Sequence, residues 1–138
     1  MAHMVRRLSV ATGGQGLHEI TAAVQSVVHD KGVNEGLCTI FVQHTSASLM
    51  VQENADPAVR QDLERWLKRL VPERDAIYTH NSEGDDDMPA HIKSALTASS
   101  ISIPIVNGSL GLGDWQGIYL WEHRRGRRSR QILVHVQD

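Results

Sequence analysis

Trp115-Gln116-Gly117-Ile118-Tyr119-Leu120-Trp121-Glu122-His123-Arg124 alternates along its whole length. In an extended chain successive side chains point to opposite faces. Gln116, Ile118, Leu120, Glu122 and Arg124 therefore share one face, and Trp115, Tyr119, Trp121 and His123 share the other. Both faces carry large apolar groups, more than an open side tolerates in water. A sheet strand of this kind needs cover on both sides, and on the second side a helix layer or another subunit must supply it.

Working outward, Ser129 to Val136 reads as a following strand, joined through the arginine-rich run 124–130 as a hairpin turn. Upstream, Asn107-Gly108 is a tight hairpin signal, and Pro104 places the strand Ile101–Val106 at an edge or bulge. Leu37 to His44 is apolar on both faces until its end, the pattern of a central strand buried on two sides. Leu49-Met50-Val51 resumes an extended run, and Val5 to Ala11 alternates as a strand with one wet face. Helices are expected from Ile20 to His29, capped by Gly32, and from Asp56-Pro57 to Pro72, with Val59, Leu63, Trp66, Leu67 and Leu70 as its stripe. A third is expected from Pro89 to Ala98, with Ile92, Ala95 and Leu96 turned inward. The result is an α+β fold, a mainly antiparallel sheet or sandwich with two to three helices. It occupies residues 5–138 as one domain, with Met1 to Met4 read as an expression scar and start.

Composition narrows the function. The 138 residues suit a single domain, 41% hydrophobic content fills its core, and 22% charge argues against disorder. A formal charge of -2 opposes a dedicated nucleic-acid binder, and no stretch approaches the ~20 apolar residues of a membrane span. The run 124–130 holds five arginines but no interleaved aromatic platform, so nucleic acid is not the expected partner. Cys38 is the sole cysteine, so no intrachain disulfide forms and no thiolate-based zinc site exists. The opening residues lack the charged-then-apolar pattern of a secretory leader, so none is expected, and the reducing cytoplasm is the expected compartment.

Several polar clusters could carry chemistry. His44 ends an apolar strand where Thr45, Ser46 and Ser48 begin, a setting for phosphate or carboxylate recognition beside an acid–base imidazole. A strand-end histidine bonded to a carbonyl, followed by a small-residue bulge, explains the same string. Glu53 and Asn54 precede a helix start whose amides attract anions, while Asp56 serves as its N-cap. Asp85, Asp86 and Asp87 repel one another, and a divalent cation, Mg²⁺ or another, relieves that repulsion; a solvated loop that caps the next helix is the alternative. His80 lies in the same acidic loop as a further metal candidate. His91, on a helix first turn, is kept neutral by the dipole and available as base or ligand. Glu122 and Arg124, two apart on one strand face, can pair and orient an anionic ligand.

Taken together these strings resemble the YjbQ family. The resemblance rests on His44-Thr45-Ser46-Ala47-Ser48-Leu49, Glu53-Asn54-Ala55-Asp56-Pro57, the run Glu83 to Lys93, Leu112-Gly113, and Trp115 to Leu120 with Glu122 and Arg124. It runs from about Thr12 to Val136, with Asp114 where the pattern has threonine. The resemblance implies a homotrimer and an activity labelled secondary thiamine-phosphate synthase. That reaction joins a thiazole phosphate to a pyrimidine methyl diphosphate with loss of pyrophosphate and needs no organic cofactor. On the matched positions it implies His44, His91 and Glu53 as catalytic groups. Thr45, Ser46, Ser48, Asn54, Trp115, Gln116, Glu122 and Arg124 would hold a small phosphorylated metabolite. Two other classes fit the same residues: a trimeric, non-enzymatic binder of a small anion, and a metal-dependent hydrolase built on His44, His80 and His91. His44 and His91 are expected to line one pocket with Ser46 and one of Asp85 to Asp87, closed where needed across a subunit boundary.

Overall fold

A computed structural model describes residues 3–138. In chain order the elements are β1 (His3–Thr12), β2 (Gly16–Glu19), α1 (Thr21–Lys31), β3 (Gly36–Val42), β4 (Ala47–Glu53), α2 (Pro57–Leu70), α3 (Asp87–Leu96), β5 (Ser100–Val106), β6 (Ser109–Leu110), β7 (Gln116–Glu122) and β8 (Arg128–Gln137). His3 and Met4 extend β1 in register with Gln137 and Val136, so the strand takes in part of the stretch read as a scar. Residues 1 and 2 lie outside the described residues.

Two antiparallel sheets form, ordered β1-β8-β3-β5-β6 and β2-β7-β4. Their facing sides meet in one core of Ile40, Val42, Ile132 and Val134 against Leu49, Ile118 and Leu120, plugged by Val24, Val27 and Val28 of α1. The outer face of β7 buries Tyr119 and Trp121 under Leu67 and Val71, at the end of α2. The two-faced strand thus gains its second cover from the chain's own helix.

Local chemistry explains the boundaries. Gly32 closes α1 at φ 73°, donating its N–H to the Val28 carbonyl. Asp56 caps α2 through its carboxylate, which accepts from Ala58 N–H at 2.9 Å, with Pro57 at the first helical position. Asn107 and Gly108 both take positive φ, as a type I′ turn requires. Pro104 is tolerated inside a sheet because its missing N–H lies on the β6 side, where that two-residue strand ends at Leu110 and Gly111 N–H donates to the Pro104 carbonyl at 2.8 Å.

Four expectations are corrected. The central strand β3 is buried on one face only, with Leu37 and Phe41 about half exposed, because only one sheet packs on it. On α2 the stripe is half uncovered: Leu67 is buried, whereas Trp66 and Leu70 stand open. α3 starts two residues earlier than its proline, and it turns Ala90 and Lys93 inward while Ala95 and Leu96 face out. The arginine run is no hairpin, since β7 and β8 belong to different sheets. It crosses between the sheets, which is what lets its arginines reach the acidic loop.

Candidate functional site

The segment 80–91 packs three potential metal ligands together. Asp87 opens α3, and His91 lies one turn on, the i and i+4 positions of one helix face. His80 arrives from the preceding loop, its ring edge-on to His91 with centroids 5.3 Å apart. The Asp87 carboxylate takes His80 Nε2 at 2.6 Å and His91 Nε2 at 3.3 Å on the same oxygen, Oδ2. One donor atom from each residue falls within 4.8 Å of the others. Ligands around a tetrahedral ion with bonds of about 2.1 Å sit about 3.4 Å apart, so small shifts suffice to close the set on a cation.

Arg124 fixes this arrangement. Its guanidinium donates from Nη1 to Asp87 Oδ1 at 2.8 Å, from Nε to Asp86 Oδ2 at 2.9 Å and from Nη2 to the Glu83 carbonyl at 2.9 Å. The fork holds Asp87 through Oδ1 and leaves Oδ2 to the imidazoles. Burial alone would raise the Asp87 pKa, but the His80 hydrogen bond and the Arg124 charge outweigh it and the carboxyl lies below its ordinary value. An ionised carboxylate only accepts, so His80 Nε2 carries the proton in their shared bond. Asp86 behaves alike: burial opposes ionisation, and Arg124 with the Arg125 amide overcomes it.

This pairing divides the expected metal set of Asp85, Asp86, Asp87 and His80. Asp85 is bound to Arg74 at 3.2 Å and Asp86 to Arg124 and Arg125. Asp87 keeps an oxygen for a cation, beside two imidazoles. A two-histidine, one-carboxylate set suits zinc, iron, manganese or cobalt, whereas Mg²⁺ prefers an oxygen shell. A cleft of about 380 Å³ adjoins the triad, lined by His80, Arg74, Tyr78, Asn81, Asp85 and Met88. Arg74 holds a left-handed φ of 58°, an uncommon conformation for a side chain of its kind.

Other expected site residues lie elsewhere. Glu122 is fully buried and pairs with Arg130 rather than Arg124. Arg130 Nε donates to it at 2.7 Å, its Nη2 donates to the second oxygen, and Thr12 Oγ1 donates at 2.6 Å. Burial opposes the charge of Glu122, yet these donors pull its pKa below the ordinary value. Arg130 also reaches Ser46 Oγ at 3.0 Å. His44 Nε2 accepts from the Gln131 amide at 2.7 Å, so its lone pair is spent on the backbone. Burial and then the Arg130 charge lower the His44 pKa, which keeps the ring neutral. Thr45 is exposed beside it, and Ser48 is buried against His123, Oγ to Nε2 2.8 Å.

Glu53, Asn54, Trp115 and Gln116 gather at the far end of the small sheet. The Asn54 amide donates to the Trp115 carbonyl at 2.8 Å, Glu53 Oε2 accepts from Asp56 N–H at 3.2 Å, and Gln116 Oε1 accepts from Gly113 N–H at 2.8 Å. The register pairs Glu53 with Gln116 at this end and Ala47 with Glu122 at the other. Six residues of strand separate them, about 20 Å. One chain therefore splits the expected site into two groups, and the donor atoms it brings together are those of His80, Asp87 and His91, with His44 bonded elsewhere. Sequence reasoning missed Lys93, His123 and Arg130. The i, i+3 spacing of Ala90 and Lys93 was the available signal for the first.

Comparison with known proteins agrees with this architecture. The model of the UPF0047 protein YjbQ-like family matches residues 6–138. UPF0047 protein sll1880 of Synechocystis is 57% identical over 129 residues, 94% of this chain and 88% of that one. UPF0047 protein YjbQ of Escherichia coli is 42% identical, with 96% of each chain covered. A conserved hypothetical protein from Thermus thermophilus, TT1486, superposes with a TM-score of 0.86 at 38% identity, over 96% of this chain and 99% of that one. Among the described residues no helix is long and apolar enough to cross a membrane. With one domain, the matched family model and these relatives all spanning the same residues, the chain belongs to the YjbQ/UPF0047 family.

Proposed function

We propose that this protein is a metal-dependent enzyme that hydrolyses a small phosphorylated substrate in the cleft beside His80. The observation that carries the reading is the triad of His80, Asp87 and His91, three donor atoms within 4.8 Å of one another. A transition metal held there would supply Lewis acidity and an acidified water. Arg124 keeps Asp87 oriented, and Arg74 on the cleft wall meets the substrate's negative charge once Asp85 releases it. His80 is about half exposed and carries its Nε2 proton toward Asp87, so metal entry displaces one proton.

The condensation of a thiazole phosphate with a pyrimidine methyl diphosphate is the second reading. It is favoured by the same cleft, where Arg74 and a cation could neutralise a departing diphosphate. It loses support from Asp85 and Asp86, whose oxygens are taken by arginines. We infer that the functional particle is a homotrimer, the state that the family resemblance implies, and Leu37, Phe41, Trp66 and Leu70, open to solvent in one chain, support burial against other copies.

The test is activity of protein loaded in turn with Zn²⁺, Mn²⁺ and Fe²⁺ against phosphomonoesters, diphosphates and the thiazole–pyrimidine pair. Metal-dependent phosphate release that disappears in Asp87→Ala supports the hydrolase. Thiamine phosphate formed with equimolar pyrophosphate supports the synthase. Turnover equal in wild type and Asp87→Ala contradicts both.

A further inference from the structure

A second cavity, of about 230 Å³, lies between α2 and the end of β7 and shares no lining residue with the cleft beside His80. Its walls include Leu67 and Trp121, which are apolar, and Lys93, Lys68 and Arg65, which are cationic. Lys93 is the unusual member. It is only 7% exposed, yet its side-chain nitrogen makes no hydrogen bond and no ion pair among the described residues. Burial disfavours that charge, and the fields of Glu73 and Asp86 favour it without either carboxylate bonding it.

The carboxylates near it are committed to other donors. Glu64 Oε2 accepts from the Leu17 amide at 2.7 Å, and Glu122 is bound by Arg130 and Thr12. Glu73 and Asp86, whose fields reach Lys93, pair with Arg125 and with Arg124. Lys68 and Arg125 add repulsion, and His123, held by Ser48, faces it as a neutral ring. The positive charge of Lys93 is thus left for something that is not part of the chain.

We propose that this cavity is a binding site for a small organic anion, its phosphate or carboxylate on Lys93 and its compact apolar body against Trp121 and Leu67. Lysine serves well as a point-charge partner for phosphate and carboxylate oxygens. The volume falls below the roughly 300–1,000 Å³ of pockets for drug-sized ligands, which excludes a nucleotide and admits a single ring with one anionic group. Rim cations Lys68 and Arg65 draw the anion in, while the indole of Trp121 supplies a flat wall. The site stands apart from the metal reading, since none of its walls belongs to the triad.

Phenyl phosphate, titrated into the full-length protein in EDTA at fixed ionic strength, tests it by calorimetry. Saturable binding is expected in wild type and in Asp87→Ala, weakened at least about tenfold in Lys93→Met, which replaces the ammonium by an apolar group of similar length. Inorganic phosphate should bind less tightly than phenyl phosphate. Because Lys93→Met could disturb folding, the Trp121 indole N–H of wild type provides a second readout by NMR, and it should shift during the titration. Absence of saturable binding, equal affinity in folded Lys93→Met, or an unmoved Trp121 signal overturns the proposal. Loss of metal binding in Asp87→Ala with phenyl phosphate still bound separates this site from the hydrolase reading.

Discussion

His123 and Glu122 are neighbours in sequence, and both lose stability as pH falls, over different ranges. His123 is buried beside Ser48, and burial followed by the Lys93 charge pushes its pKa down to about 3. An unfolded histidine titrates near 6.5. Between those values the unfolded chain binds a proton that the native chain refuses, so stability is full above about pH 6.5 and falls as pH drops toward 3. Urea unfolding at pH 7 and pH 5 should differ by about 2 kcal/mol from this residue, and His123→Gln should remove that part of the slope. Glu122 acts at lower pH. Its depressed pKa contributes stability above the ordinary carboxylate range, lost as pH falls through its native value. Glu122→Ala leaves Arg130 buried and unpaired, and thermal unfolding should report a loss of about 3–5 kcal/mol. Adding Arg130→Met should recover much of it, an outcome expected of a buried pair and not of a ligand-binding carboxylate.

At the scale of elements, the strand 115–124 was legible because a period of two fixes which residues share a face, and Ile118 and Leu120 do lie in one core with Tyr119 and Trp121 in the other. Caps were legible too, since Asp56, Pro57, Gly32 and Asn107-Gly108 each act through local chemistry. Asp56→Ala should cost about 1 kcal/mol in chemical denaturation, the cost of losing the cap on Ala58 N–H. The sheet partners of β7 and β8 were not legible. A turn between two strong strands reads as a hairpin, whereas here it carries the chain from one sheet to the other. That same crossing decides the site, because it brings Arg124 onto Asp86 and Asp87 across 38 and 37 residues of sequence. His80, Asp87 and His91 could be singled out one by one as ligands or bases, but their convergence depends on where the loop 80–86 folds back on α3. His44 Nε2 satisfies a backbone amide, a use that its hydroxyl-rich neighbourhood in sequence did not signal.

For the whole molecule, two sheets and three helices bury the core of one chain while leaving Leu37 and Phe41 of β3 and Trp66 and Leu70 of α2 outside. Light scattering of purified protein should therefore give the mass of three chains, and Phe41→Glu should lower it if β3 lies in the contact. A monomer at micromolar concentration contradicts the trimer. Three of the five arginines in the run 124–130 are tied to carboxylates of the chain itself, which leaves little free charge there for nucleic acid. On the proposed function, His80, Asp87 and His91 form a metal centre. Crystals soaked in Zn²⁺, Mn²⁺ or Co²⁺ and measured at each metal's absorption edge test it most directly. One anomalous peak per chain is expected within about 2.0–2.2 Å of an imidazole nitrogen of His80, one of His91 and an oxygen of Asp87, and absent in Asp87→Ala. A peak elsewhere with this triad empty, or a peak that survives the substitution, would contradict the account.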